Sequence, residues 1–181
     1  MLFKLNVYLT EDDYFSFNQF HSVESIHGKK TIRKTRFLFC VLIVILAAMV
    51  LLLGRRMKYS LIFVAVLLLF SLLYMVFFKK LIVRSVKSQI KQLKKMGKLP
   101  FDPASTYEFY EDKMVETAPS GRVEQGYQTL ERICVVDRRY VLLYKSSVVA
   151  HILPMAQIEE QLNIEEFLTF LKIKCQNVEY Y

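Results

Sequence analysis

Four residue types are scarce in this chain of 181 residues, and each scarcity excludes a class of protein. There is no tryptophan, and there are only three cysteines, five glycines and three histidines. An odd number of widely spaced cysteines disfavours both a disulfide framework and a zinc site. The glycines are too scattered for a phosphate-binding loop, and the histidines lack the spacing of a metalloprotease. We therefore expect no metal, no cofactor and no enzymatic activity, with Cys134 a core residue.

Acidic residues are absent from a long central stretch. Between Ser25 and Phe101 there is no Asp or Glu, although 16 of the 25 Lys and Arg residues lie there. The rest of the chain carries nine cations against all 17 acids. A protein that binds nucleic acid would carry its cations on the folded surface. Nucleic acid is therefore disfavoured as a partner, despite the net charge of +8.

Two apolar runs within this stretch contain no charged residue. Residues 37–53 and 60–78 would form helices of about 26 and 29 Å, close to the ~30 Å hydrocarbon core of a bilayer. The alternative, a pair of buried helices in a soluble core, is disfavoured because so short a chain cannot enclose them. Thirteen cations lie before the first run or after the second, whereas only Arg55, Arg56 and Lys58 lie in the connection between the runs. The positive-inside rule thus predicts a two-span hairpin with both termini in the cytoplasm.

Residues 79–99 are predicted to form a basic amphipathic helix directly after the second span. Apolar residues recur at helical spacing at Ile82, Val86, Ile90 and Leu93, and Gly97 and Pro100 are typical of a helix end. The candidate contacts with an anionic inner leaflet are Lys79, Lys80, Arg84, Lys87, Lys91, Lys94, Lys95 and Lys98. The alternative is a stalk whose charges only set the topology.

Residues 1–36 begin with a predicted strand and a predicted short helix. Apolar and polar side chains alternate from Phe3 to Leu9. Thr10 and Asp13 have the spacing of a capping box, so a helix should run to about His21. One strand and one helix cannot make a core, so we expect this segment to pack with residues 101–181.

Residues 100–181 are predicted to form an antiparallel sheet or barrel closed by one C-terminal helix. The predicted strands lie near 107–109, 114–117, 123–127, 133–136, 140–144 and 148–153. Asp137 begins a predicted tight turn in which Arg138 and Arg139 are the candidate contacts with a partner. The helix should begin at the N-cap Asn163. Its buried stripe should contain Ile164, Phe167, Leu168 and Leu171. The fold class is therefore membrane α+β, with a helical hairpin at 37–78.

Several stretches together carry a family resemblance. They are LTEDDYFSFNQFH, TYEFYEDKMVET, YQTLERICVVDRRYVLLY and VVAHILP, arranged around a two-helix hairpin with basic flanks. Over nearly its whole length the chain resembles the YcxB-like family of bacterial membrane proteins. The resemblance implies a pleckstrin-homology-like (PH-like) domain at 100–181 and an architecture rather than a reaction. The chain departs from the family at Met155, where a basic residue is common, and at Tyr127-Gln128, where a Trp is frequent.

Two hypotheses for the function follow. In the first, the chain is a non-enzymatic adaptor that holds its PH-like domain at the inner face of the bacterial plasma membrane. Residues 102–181 contain 8 Lys and Arg against 13 Asp and Glu, which favours a protein partner at an exposed sheet edge over direct capture of anionic lipid. In the second, the chain is an accessory or immunity-type subunit that acts through its hairpin. A homo-oligomer is a further candidate assembly.

Overall fold

The structure, a computed structural model, describes residues 1–53, 57–97, 101–146, 149–175 and 177–181. These residues form two compact units. One unit combines Met1–Asn18 with Ile90–Tyr181, and the other is Gln19–Gln89.

A few predicted features lie outside the described residues. They are the loop cations Arg55 and Arg56, the helix-end residues Lys98 and Pro100, and position 148, where the last predicted strand was expected to begin.

Two long apolar helices dominate the unit of residues 19–89. Helix α2 spans Ile26–Leu53 and helix α3 spans Met57–Lys95, so both apolar runs are helical as predicted. Both helices are long and apolar enough to cross a membrane. In the most apolar 18-residue stretch of each helix, only 6% of the residues of α2 and 11% of those of α3 are buried. The core helix of a soluble domain would be mostly buried. α3 also continues without a break from the apolar run into the basic segment.

The polar side chains of the two runs lie on the less exposed sides of the helices. Ser60 and Ser71 are buried, and Cys40 and Tyr74 are half-buried. The Tyr74 ring lies 4.3 Å from the Phe39 ring, centroid to centroid, so the two helices pack together at this level. Small and hydroxyl-bearing residues at such a contact allow close approach of helices.

A cation joins the two helices near the ends of the runs. The Arg36 guanidinium donates a hydrogen bond of 2.9 Å to the Met75 carbonyl and lies 5.8 Å from the Phe78 ring centroid. Its stem can follow the apolar surface while its charge is partnered by the carbonyl and the ring.

The first sheet joins the N-terminal strand to three strands from the C-terminal part. Its order is β1-β2-β3-β4, and all neighbours are antiparallel. The strands are β1 (Phe3–Tyr8), β2 (Ala104–Phe109), β3 (Lys113–Ala118) and β4 (Gly121–Gly126). Asn6 pairs with Thr106, 100 positions away, which confirms that the N-terminal segment packs with the C-terminal part.

The second sheet has the order β7-β6-β5-β8. Its strands are β5 (Arg132–Val136), β6 (Tyr140–Tyr144), β7 (Ala150–Pro154) and β8 (Val178–Tyr180). β8 was not predicted, because three residues are too few to show an alternating pattern. It runs parallel to β5, with Val178 opposite Ile133, since the chain returns to the sheet through a helix.

Two helices follow β7, so the prediction of a single C-terminal helix was wrong. Helix α4 spans Met155–Gln161 and helix α5 spans Ile164–Lys174. The predicted N-cap is confirmed: the Asn163 side chain accepts hydrogen bonds from the backbone N–H groups of Glu165 and Glu166, at 3.1 and 3.4 Å. This cap satisfies donors that the first turn of α5 would leave unpaired, so α5 begins anew rather than continuing α4.

Both sheets and the two C-terminal helices contribute to one hydrophobic core. Phe167 of α5 packs edge-on against Phe109 of β2, with ring centroids 5.0 Å apart. Phe167 and Leu171 are buried, and Ile164 and Leu168 pack against the core from partly exposed positions, as the predicted stripe requires.

Helix α1 (Glu11–Gln19) is held at its start by the predicted capping box. The Asp13 backbone donates to Thr10 Oγ1 at 3.1 Å, and the Thr10 backbone donates to Asp13 Oδ2 at 2.9 Å. The other oxygen of Asp13 accepts a hydrogen bond from the Tyr140 hydroxyl at 3.0 Å. α1 therefore packs on β6, whose five residues are all buried. A π-helical turn, Phe20–Glu24, follows α1.

Candidate functional site

The cations proposed to contact lipid lie on the exposed side of α3. All of them within the described residues are exposed, whereas Ile82, Val86, Ile90 and Leu93 are half-buried, so the amphipathic pattern is confirmed. Gly97 adopts a left-handed conformation with φ of 66° and follows the helix end as expected. Lys94 pairs with Glu11 at 2.6 Å, both partners being well exposed. Lys98 lies outside the described residues, and contact of these cations with lipid stays a prediction.

The two arginines proposed to contact a partner occupy a tight turn between β5 and β6, as predicted. Asp137 and Arg138 have φ values of 26° and 53°, and the Arg139 backbone donates to the Val136 carbonyl at 2.7 Å. Two successive residues with positive φ are the conformation of a type I′ hairpin turn, which normally selects Asn or Gly. Both arginines are exposed, and their contact with a partner stays a prediction.

The outer edge of β1 is closed by two glutamine side chains of α4. The Tyr8 backbone N–H donates to Gln157 Oε1, and Gln157 Nε2 donates to the Tyr8 carbonyl, both at 2.8 Å. Gln161 makes the same pair of bonds with Asn6, again at 2.8 Å each. Each side-chain amide thus replaces one peptide unit of a neighbouring strand, so this edge is not open to strand addition.

The outer edge of β4 has no strand partner among the described residues. Among the strands that the structure describes, β4 pairs only with β3. Its residues 121–124 are exposed, including 44% of Val123. Glu124 is paired on the surface with Lys113 at 2.6 Å and Arg122 at 3.5 Å. Charges on an edge strand oppose indiscriminate pairing, yet they leave the backbone groups available to a complementary segment.

A polar cluster lies where β2, β3, β4 and β7 meet. Glu116 accepts a hydrogen bond from the Tyr107 hydroxyl at 2.5 Å, and its other oxygen lies 3.2 Å from His151 Nδ1. His151 Nε2 lies 3.1 Å from Gln125 Oε1. Both ring nitrogens of His151 are therefore engaged within the cluster. The cluster therefore links side chains of four strands, β2, β3, β4 and β7.

The Glu116 carboxylate is stabilised by its partners. Burial raises the pKa of Glu116, but the hydrogen bonds from His151 and Tyr107 outweigh burial and hold the pKa below its ordinary value of 4.5. Burial and the nearby Glu116 raise the pKa of the Tyr107 phenol. Sequence reasoning missed this cluster, although a Glu and a His at inward positions of apolar strands were a signal for it.

Cys134 is a core residue, as expected. Its side chain is buried, and burial together with Glu179 raises the pKa of the thiol to about 12. Its Sγ lies 3.4 Å from Glu179 Oε2 on the neighbouring strand β8. A thiol with so high a pKa is not nucleophilic near neutrality.

Comparison of the chain with protein-family models, with curated proteins and with solved structures finds no match.

Proposed function

We propose that the chain is a membrane-anchored binding module, with α2 and α3 crossing the plasma membrane of a bacterium. The carrying observation is the surface of the hairpin: every exposed residue of 37–53 and 60–78 is apolar. Soluble proteins seldom expose more than a few hundred Å² of contiguous apolar surface, whereas a bilayer stabilises such a surface. The single alanine of the first run on the less exposed side, Ala47, and the buried serines of α3 suit a helix pair in lipid.

The proposed orientation places both termini in the cytoplasm. Thirteen cations flank the outer ends of the two runs, against three in the connection, of which Lys58 is described and exposed. The excess of cations near spans is retained on the cytoplasmic side. The cations of α3 then lie beside the anionic inner leaflet, where each contributes about 1 kcal/mol.

The folded unit is proposed to be PH-like, in agreement with the proposed membership of the YcxB-like family. Two observations support this: the strands β1–β4 and β5–β7 are each antiparallel to their neighbours in two sheets, and the helices α4 and α5 follow β7. The strand β1 precedes the helical hairpin in the sequence and pairs with β2, which follows the hairpin. In the sequence, the hairpin is therefore an insertion between two neighbouring strands of one sheet.

The partner is proposed to be a protein segment that adds to the open edge of β4. Residues 102–181 carry more acids than cations, so direct capture of anionic lipid by this unit is unfavourable. The edge of β1 is already occupied by Gln157 and Gln161. An extended segment would gain backbone hydrogen bonds from β4, and Val123 offers an apolar contact.

Site-specific photo-cross-linking from Val123, in full-length protein in native membranes, tests this proposal. We expect a covalent adduct with a second protein from Val123 and no adduct from Glu160, an exposed residue of α4 that serves as the matched control. An adduct of twice the chain mass of 21.4 kDa would identify a second copy as the partner instead. Equal adducts from both positions would show that β4 has no special role.

A truncated chain ending at Leu99 separates the module from the accessory-subunit hypothesis. Proteins captured from membranes by the full-length form alone would assign the binding to the folded unit. Proteins retained by both forms would move the function into the hairpin. Because this truncation also leaves β1 without its partner β2, the cross-linking result takes precedence where the two disagree.

A further inference from the structure

The unit of residues 19–89 contains a cavity that the proposed function does not use. It has a volume of about 340 Å³ and lies between the π-helical turn, the first turns of α2 and the middle of α3. Polar side chains dominate one wall: His21, Ser22, His27, Thr31 and Thr35. Ile32, Phe78 and Ile82 form the apolar part of the lining. This volume is at the lower end of the range of small-ligand sites.

Close packing of the π-helical turn against the first turn of α2 positions the polar wall. The Ser25 hydroxyl donates to the His21 carbonyl at 2.6 Å and accepts from the Gly28 backbone N–H at 2.9 Å. A Cβ at Gly28 would lie 2.5 Å from the His21 carbonyl oxygen and 2.7 Å from the Ser22 backbone. Only glycine therefore permits this close approach, which brings the His21 ring to 6.3 Å from the His27 ring in a parallel stack.

The donors of the cavity share one face of α2. His27, Thr31 and Thr35 follow one another at intervals of four residues, so they form a row along the helix. Lys30 and Lys34 are exposed and lie one turn apart beside this row. Since no acid occurs between Ser25 and Phe101, α2 and α3 offer hydroxyl, imidazole and ammonium donors without a carboxylate of their own, and Glu24 of the π-helical turn, which is half-buried, is not part of the lining.

The location of the cavity relative to the apolar runs indicates its ligand. Thr35 lies two residues before the first run begins, and Phe78 is the last residue of the second run. In the membrane topology of the proposed function, on which this inference rests, the cavity lies at the level of the inner-leaflet headgroups. Its polar wall would face a headgroup, and its apolar part would adjoin the acyl chains.

We propose that this cavity binds the phosphate group of an anionic phospholipid. The hydroxyl groups of Thr31 and Thr35 and an N–H of the His27 imidazole donate to the phosphate oxygens, and Lys30 and Lys34 supply the charge. Free inorganic phosphate carries the same oxygens, so the test distinguishes the two sources.

The absence of native tryptophan makes a site-specific fluorescence test possible. A Phe78→Trp reporter places the single indole of the full chain at the cavity, and a Phe63→Trp reporter places it on the exposed surface of α3, away from the cavity. Each protein is reconstituted in vesicles of phosphatidylcholine with brominated phosphatidylglycerol or with brominated phosphatidylcholine. Quenching of the indole then reports which lipid is adjacent.

We expect the Phe78→Trp reporter to show a preference of roughly fivefold for phosphatidylglycerol, equivalent to about 1 kcal/mol. The Phe63→Trp reporter should show a ratio near one. Because phosphatidylcholine also carries a phosphate, Thr31→Val with Thr35→Val in the Phe78→Trp background, which keeps the shape and removes the donors, should weaken quenching by both lipids. Lys30→Gln with Lys34→Gln, which removes the charge beside the cavity, should abolish the preference for phosphatidylglycerol. Ser85→Ala with Ser88→Ala, which removes two exposed hydroxyls of α3 outside the cavity, should leave it unchanged.

Three results would overturn the inference in distinguishable ways. Equal quenching by both lipids at Phe78→Trp would exclude a specific headgroup site. Loss of the preference on addition of inorganic phosphate, but not of chloride at equal ionic strength, would assign the site to free phosphate. Absence of any quenching at Phe63→Trp would show that the hairpin is not in the bilayer, and the proposed function would fail with it.

Discussion

The two glutamines that close the edge of β1 give the most specific prediction. Gln157→Ala with Gln161→Ala removes four hydrogen bonds of 2.8 Å between side-chain amides and the backbone of Tyr8 and Asn6. These bonds are solvent-exposed, so water recovers part of each, and a net value of about 0.5 kcal/mol per bond is appropriate. The free energy of unfolding should therefore fall by about 2 kcal/mol, roughly a 30-fold change in the equilibrium constant.

The assay is hydrogen exchange of single backbone amides in the full-length protein. The N–H groups of Asn6 and Tyr8 point to the glutamines, whereas those of Leu5 and Val7 alternate with them and point to β2. In the double variant, exchange should accelerate at Asn6 and Tyr8 more than at Leu5 and Val7. Each single variant should expose only its own amide, Tyr8 for Gln157→Ala and Asn6 for Gln161→Ala.

A matched control and a refuting result are available on the same helix. Glu160→Ala alters an exposed residue of α4 that makes none of these bonds, so exchange at β1 should not change. Unchanged protection of Asn6 and Tyr8 in the double variant would refute the closure of this edge by side-chain amides. It would also reopen β1 as a site of strand addition.

Three further predictions concern single residues. The pKa of Glu116 lies below 4.5 in the folded state, so its contribution to stability is complete above pH 4.5 and is lost as the pH falls through the folded pKa. Glu116→Gln should therefore lower the free energy of unfolding by about 1–3 kcal/mol at pH 7. The variant should also flatten the acid limb of the stability–pH profile, and an unaltered limb would contradict this. Arg138→Gly should raise the free energy of unfolding by about 1 kcal/mol, since φ is 53° there; a loss of stability in denaturant titration would show that the arginine side chain outweighs its backbone strain. Gly28→Ala should lower the free energy of unfolding by about 1–3 kcal/mol, and with it the thermal midpoint, because the added methyl group meets backbone atoms. An unchanged midpoint would show that the turn moves freely away from α2.

The local features of this protein were predictable from the sequence. Each of these features depends on one short continuous segment of the chain. They are the capping box of Thr10, the N-cap Asn163, the alternation in β1 and the uncharged runs at 37–53 and 60–78. Helical and strand periods, capping groups and uncharged length are visible in a short window, because the backbone geometry that they satisfy is itself local. The separate helix α4 was not predicted, because seven residues are too few to show a helical period of apolar side chains.

The long-range features were decided only by the tertiary structure. Asn6 meets Gln161 across 155 positions, and Glu116 of β3 meets His151 of β7. The sequence marks Glu116 and His151 only as polar residues at inward positions of their strands, and it does not show that they meet. The same holds for β8, whose three residues pair only because α5 returns the chain to β5. Such contacts depend on register and on the packing of two sheets, which a pattern of hydrophobic residues constrains but does not specify. The division of the chain into two apolar helices and a β-rich part follows from the sequence, whereas the unpaired edge of β4 among the described strands and the cavity beside the start of α2 follow from the fold.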